Sequence, residues 1–201
     1  MKQIPILFST PMVQAILEGR KTQTRRVVKP QPTNFVDDPL HYLWPVPCIQ
    51  CNLGLESIKC PYGQPGDVLW VRETFCRLDY GAFLYKASFD NTQKGWKPSI
   101  HMPKEACRLF LRVKSVRVER LQAISEQDAV AEGVYFYDDR EEHKGFKNTY
   151  EHYVDTEKVC IRPSGSFLTL WEKINGRESV NANPWVWVVE FERITKEEAG
   201  L

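Results

Sequence analysis

Residues 19–26 read GRKTQTRR and place an amine, a hydroxyl and two guanidinium groups in one short segment. The Thr24 hydroxyl becomes a nucleophile when a base takes its proton. Lys21 is such a base if its pKa falls, as in Ser–Lys hydrolases. Burial would lower that pKa, and so would the neighbouring charges of Arg25 and Arg26. On a straight strand Lys21 and Thr24 would face opposite ways, so they meet only if residues 19–24 turn; Gly19 after a helix allows this. Arg26, with Arg25 beside it, suits a phosphate, a base carbonyl or an oxyanion. The alternative is a surface lysine, a strand threonine and a rim salt bridge worth about 1 kcal/mol or less.

A carboxylate at Glu132 would complete such a set. The segment ISEQDAVAEGV (124–134) reads as a short helix that Ser125 begins and Gly133 ends, with Asp128 three residues past its start. Glu132 then falls in the last turn, where the helix dipole disfavours a carboxylate by roughly 0.3–1 kcal/mol. It needs a cationic partner or a task, and Lys21 is the candidate partner; an exposed glutamate at a frayed end is the other reading. Glu73, in WVRET, is a second acid at a strand end, equally explained by a surface pair with Arg72. His101, between Ile100 and Met102, is a candidate to line a cleft, although a lone histidine is more often structural. Cys48, Cys51 and Cys60 form C-x2-C-x8-C, with His41 as a fourth ligand for zinc. A single C-x2-C pair does not assign a metal, so none is assigned, and no cofactor is expected. Cys76, Cys107 and Cys160 read as buried or incidental thiols.

The elements that must hold these groups are short. QIPILF (3–8) reads as a strand, followed by a helix with Thr10 as its cap, Pro11 at its first position and Gly19 at its end. Residues 20–28 turn and become extended. Residues 29–66 read as a long ordered insertion that ends in the turn PYGQPGD (61–67). VLWVRETFC (68–76) reads as a strand paired with AFLYKA (82–87). In RLFLRVKSVRVERL (108–121) the apolar phase slips after Lys114–Ser115, which suggests a β-bulge or a barrel corner. Residues 134–163 are acidic and polar, a loop insertion. SGSFLTLWEKING (164–176) is an amphipathic helix turning Phe167, Leu168, Trp171 and Ile174 inward, and PWVWVVEFERI (184–194) is a closing strand. Short scattered strands with few helices point to an α+β class: a small β-barrel with peripheral helices, one domain over 1–201.

Composition bounds the rest. The chain has 201 residues, 42% hydrophobic and 26% charged, which suits a globular domain with a real core. No apolar run approaches the roughly 18 residues of a membrane span, and the N-terminal segment is too short in its apolar part for a signal peptide. A cytoplasmic protein with no membrane partner and reduced thiols is expected. Net charge is +1 but uneven. Residues 1–36 carry six basic residues against one acidic one, 104–120 six against two, and 123–160 four against ten. Basic segments beside an acidic one suit a cleft for an anion or nucleic acid, although barrel rims are charged in any case. The six tryptophans read chiefly as core, with Trp44 the candidate stacking platform.

The pattern Gly19, Lys21, Thr24 and Arg26 resembles the signature of the ASCH family, whose domains have the PUA-like barrel fold. Thr24 stands where that family usually has an acid, and Lys-x-x-Thr looks like the branch that hydrolyses N4-acetylcytidine. ISEQDAVAEGV is similar to the family helix ending in Glu-Gly, and the resemblance then makes Glu132 the branch's catalytic glutamate. GDVLWV (66–71) and WVVEF (187–191) look like family barrel strands. The chain is about twice as long as the compact hydrolases and looks like the larger ASCH proteins of bacteriophages and prophages. The resemblance implies hydrolysis of an N4-acylated cytosine nucleoside or a related modified base by Lys21, Thr24 and Glu132, with Arg26, Arg25, Glu73 and His101 binding substrate. The alternative is an RNA- or DNA-binding module using the same basic cleft without turnover.

Overall fold

The structure is a computed structural model that describes residues 1–31, 59–89, 94–138 and 148–201. In chain order the elements are β1 (Gln3–Leu7), α1 (Thr10–Leu17), β2 (Gln23–Val27), β3 (Val68–Arg72), β4 (Phe75–Arg77), β5 (Phe83–Tyr85), β6 (Phe110–Arg120), α2 (Glu126–Ala131), β7 (Phe136–Tyr137), β8 (Thr149–Glu151), β9 (Val159–Cys160), α3 (Pro163–Asn175), α4 (Arg177–Asn181) and β10 (Trp185–Ile194). This is a mixed α+β protein. Among the described residues no helix is long and apolar enough to cross a membrane. The chain divides into two compact units: Met1–Thr22, Pro61–Ser115 and Glu190–Leu201 in one, Gln23–Cys60 and Val116–Val189 in the other.

In the first unit β1 runs parallel to β3, with Gln3 opposite Val68 and Leu7 opposite Arg72. The start of β6 pairs antiparallel on the other side of β3, with Val68 opposite Arg112 and Trp70 opposite Phe110. Asp67 secures the entry to β3: its carboxylate accepts from the backbone amides of Lys2 (2.7 Å) and Gln64 (3.1 Å). These amides, Lys2 first, outweigh burial and hold its carboxyl below the usual range. The PYGQPGD turn leads into this point. Gly63 has φ +88°, and a Cβ there would stand 3.0 Å from Asp67 and Ile4 side-chain atoms, so only glycine fits. The core of the unit includes Val68, Phe75, Met102, Phe110, Ile194 and Ala199.

The strand expected over 68–76 is interrupted. β3 ends at Arg72 and β4 begins at Phe75. At the break Arg72 donates to the carbonyl oxygens of Met102 (3.1 Å) and Ile100, and the Glu73 amide meets the Met102 sulfur at 3.1 Å. β5 pairs with β4 alone, Phe75 opposite Tyr85. The cap of α1 also differs from expectation: Ser9 is the N-cap residue and Thr10 is already helical, with no side-chain cap hydrogen bond. Gly19 follows the helix at φ +78°, as a helix-ending glycine should.

In the second unit the strand order is β6, β10, β2. The first half of β10 is buried on both faces, with Val186, Trp187, Val188 and Val189 at most 5% exposed. Leu121, Ile124, Ala129, Phe167 and Trp171 pack with Val186 and Val188. Ile174, expected inward, is 54% exposed; it lies beyond the buried stripe of α3 that Phe167 and Trp171 define. The expected 134–163 loop contains a small antiparallel sheet, β7-β8-β9, with Phe136 opposite Tyr150 and Tyr150 opposite Cys160. Aromatic contact holds it, the Phe136 and Tyr150 rings lying 4.9 Å apart. β6 runs as a single strand, Phe110–Arg120, through Lys114–Ser115. The phase slip coincides with the passage from one unit to the other, between Ser115 and Val116.

Candidate functional site

Lys21 lies in the first unit, just after the turn that ends α1, and its amide donates to the Ala15 carbonyl at 3.0 Å. The residue is 3% exposed, and its Nζ stands 5.9 Å from the centroid of the Phe8 ring. It lines a cavity of about 380 Å³. Ile16, Leu111 and Phe191 give this cavity apolar walls, while Lys21, Lys114 and Arg193 give it three cationic groups against the single carboxylate of Glu192. Phe191 also donates its amide to the Thr22 carbonyl at 2.8 Å, tying β10 to the segment that carries Lys21.

Thr24, Arg25, Arg26 and Glu132 belong to the second unit. Thr24 is buried on β2 at 2% exposure, and Arg26 is half-buried. Arg25 is the hub of an ionic cluster. Its side chain is wholly shielded from solvent, and its guanidinium reaches Glu119 at 3.0 Å, Asp128 at 3.0 Å and Glu132 at 3.2 Å. Arg117 joins from β6, 2.5 Å from Glu119 and 3.0 Å from Asp128. The Phe167 ring covers Arg25, 5.7 Å from the guanidinium carbon. At Asp128 burial raises the carboxyl pKa, but Arg25 and Arg117 outweigh it and the group titrates below the usual range.

The helix that carries Asp128 and Glu132 forms as its sequence predicts. The Ser125 hydroxyl caps it by accepting from the Asp128 amide at 3.1 Å. Glu132 is its C-cap, 5% exposed, with Gly133 following at φ +85°. The Gln23 side-chain amide donates to the Asp128 carbonyl at 2.7 Å, fastening β2 to α2. Sequence reasoning asked for a cation to answer Glu132, and Arg25 is one that the structure supplies, 3.2 Å away. Arg25 itself was expected to bind substrate, yet its guanidinium faces three carboxylates.

Glu73 is 1% exposed and forms a two-point ion pair with Arg108, Nε to Oε1 at 2.8 Å and Nη2 to Oε2 at 2.9 Å. Glu73, a candidate to bind substrate or else to pair with Arg72 at the surface, is thus engaged by a residue 35 positions away. Arg108 also stacks on Tyr85, its guanidinium carbon 4.0 Å from the ring centroid. His101 is exposed in a short 3-10 turn and is not part of the cavity lining. Of the zinc ligand set, His41, Cys48 and Cys51 lie outside the described residues, as does Trp44; Cys60 is half-buried. Among the described residues no group of three or more His, Cys, Asp or Glu side chains could hold a metal ion.

The sequence reading did not find Lys114 and Arg193 at the cavity, nor Glu119, Asp128 and Arg117 around Arg25. Lys114 carried one signal, its position at the phase slip of β6. Comparison with known proteins adds nothing to this geometry: no family model, no curated protein and no solved structure matches the chain.

Proposed function

We propose that the protein is a cytoplasmic hydrolase of an N4-acylated cytosine nucleoside or a related modified base, built on a PUA-like barrel of the ASCH type. One observation carries this reading: the three residues singled out for the chemistry are all buried, Lys21 at 3%, Thr24 at 2% and Glu132 at 5% exposure. An ammonium, a hydroxyl and a carboxylate withdrawn from water destabilise a fold unless each is paired or put to use, and such groups gather at functional sites. In this reading Thr24 supplies the nucleophile, Lys21 the base, and Glu132 a carboxylate whose orientation Arg25 fixes. Arg26, half-buried beside them in sequence, is the candidate for holding substrate.

The test is release of acetate from N4-acetylcytidine by the purified protein. Thr24→Val removes the hydroxyl at nearly constant volume, and Lys21→Met removes the amine but keeps most of its stem. Each is expected to lower turnover a hundredfold or more. Glu132→Gln is expected to lower kcat with little change in KM. A wild-type protein inactive on a panel of acylated nucleosides would overturn the enzyme reading. The second reading, an RNA- or DNA-binding module without turnover, draws on the cationic lining of the Lys21 cavity. It requires salt-sensitive affinity for nucleic acid and indifference to Thr24→Val.

A further inference from the structure

We draw no further inference here: the strongest candidate, the row of partly exposed side chains that Phe136, Tyr150 and Cys160 form across the small sheet β7-β8-β9, is an apolar sheet face, and nothing in the structure shows what covers it.

Discussion

Arg25 shows how a residue's neighbours in space can redefine what its neighbours in sequence suggest. In GRKTQTRR it reads as one of several cations available to an anion. In the fold it answers Glu119, Asp128 and Glu132, which lie 94 to 107 positions along the chain, and no spacing rule reaches that far. Replacing it with methionine would remove a counter-charge shared by three carboxylates, two of which, Glu119 and Asp128, Arg117 also reaches. Removing one partner of a buried ion pair costs about 3–5 kcal/mol, and a loss of that order is expected for Arg25→Met in urea denaturation at pH 7. The sign of the pH dependence follows from Asp128. Its pKa is lower in the folded protein than in the unfolded chain, so its stabilising contribution is present at neutral pH and lost as pH falls through the folded value. Wild-type stability should decline on acidification, and Arg25→Met should show a shallower decline, because much of the depression comes from Arg25. An identical pH slope in the two proteins would show that Arg25 does not set that titration. Lys21, Thr24 and Glu132 are buried as well, at 3%, 2% and 5% exposure.

At the scale of elements, what could be read depended on length. α1, α3 and β10 carry enough periodic positions to be recognised, and α2 announces itself by its cap and its terminal glycine. β7, β8 and β9 have two or three residues each, too few for alternation to register, and so their segment read as loop. α4, with five residues, escaped for the same reason. The break between β3 and β4 was hidden because Glu73 reads as an outward charge, whereas Arg108 draws it inward. Short elements depend heavily on their termini. α2 has six residues, and its Ser125 hydroxyl holds the amide of the residue that also serves the Arg25 cluster. Ser125→Ala is expected to lower the unfolding free energy by about 1 kcal/mol, read as a lower urea midpoint with an unchanged slope. A midpoint equal to that of the wild type would show that the cap contributes nothing.

For the molecule as a whole, the pattern of short scattered strands and few helices conveyed the α+β class, but the division into two compact units had no compositional mark. Two of its four boundaries fall inside strands, between Ser115 and Val116 in β6 and between Val189 and Glu190 in β10; the others lie between Thr22 and Gln23, at the start of β2, and between Cys60 and Pro61. The apolar phase slip in β6 is the one trace of it in the sequence, and it invites a more local explanation. Each unit is also assembled from separated stretches of chain. Ile194 and Ala199 lie in the same core as Val68 and Phe75, and the Gln3 side chain donates to the Ala199 carbonyl at 2.9 Å.

This discontinuity bears on how the protein is made. A ribosome delivers a chain N-terminal end first, and the first unit cannot close until residues 190–201 have emerged, although β1 has long been available. Through most of translation the apolar faces of β1 and β3 must wait uncovered, which exposes the nascent chain to aggregation and to chaperone capture. Chains stalled at successive lengths and fused to a force-sensitive arrest peptide should show no strong pull until β10 has left the exit tunnel, and then a single rise. A strong pull from chains that end before Trp185 would show that part of the fold closes early, without the strand that both units contain.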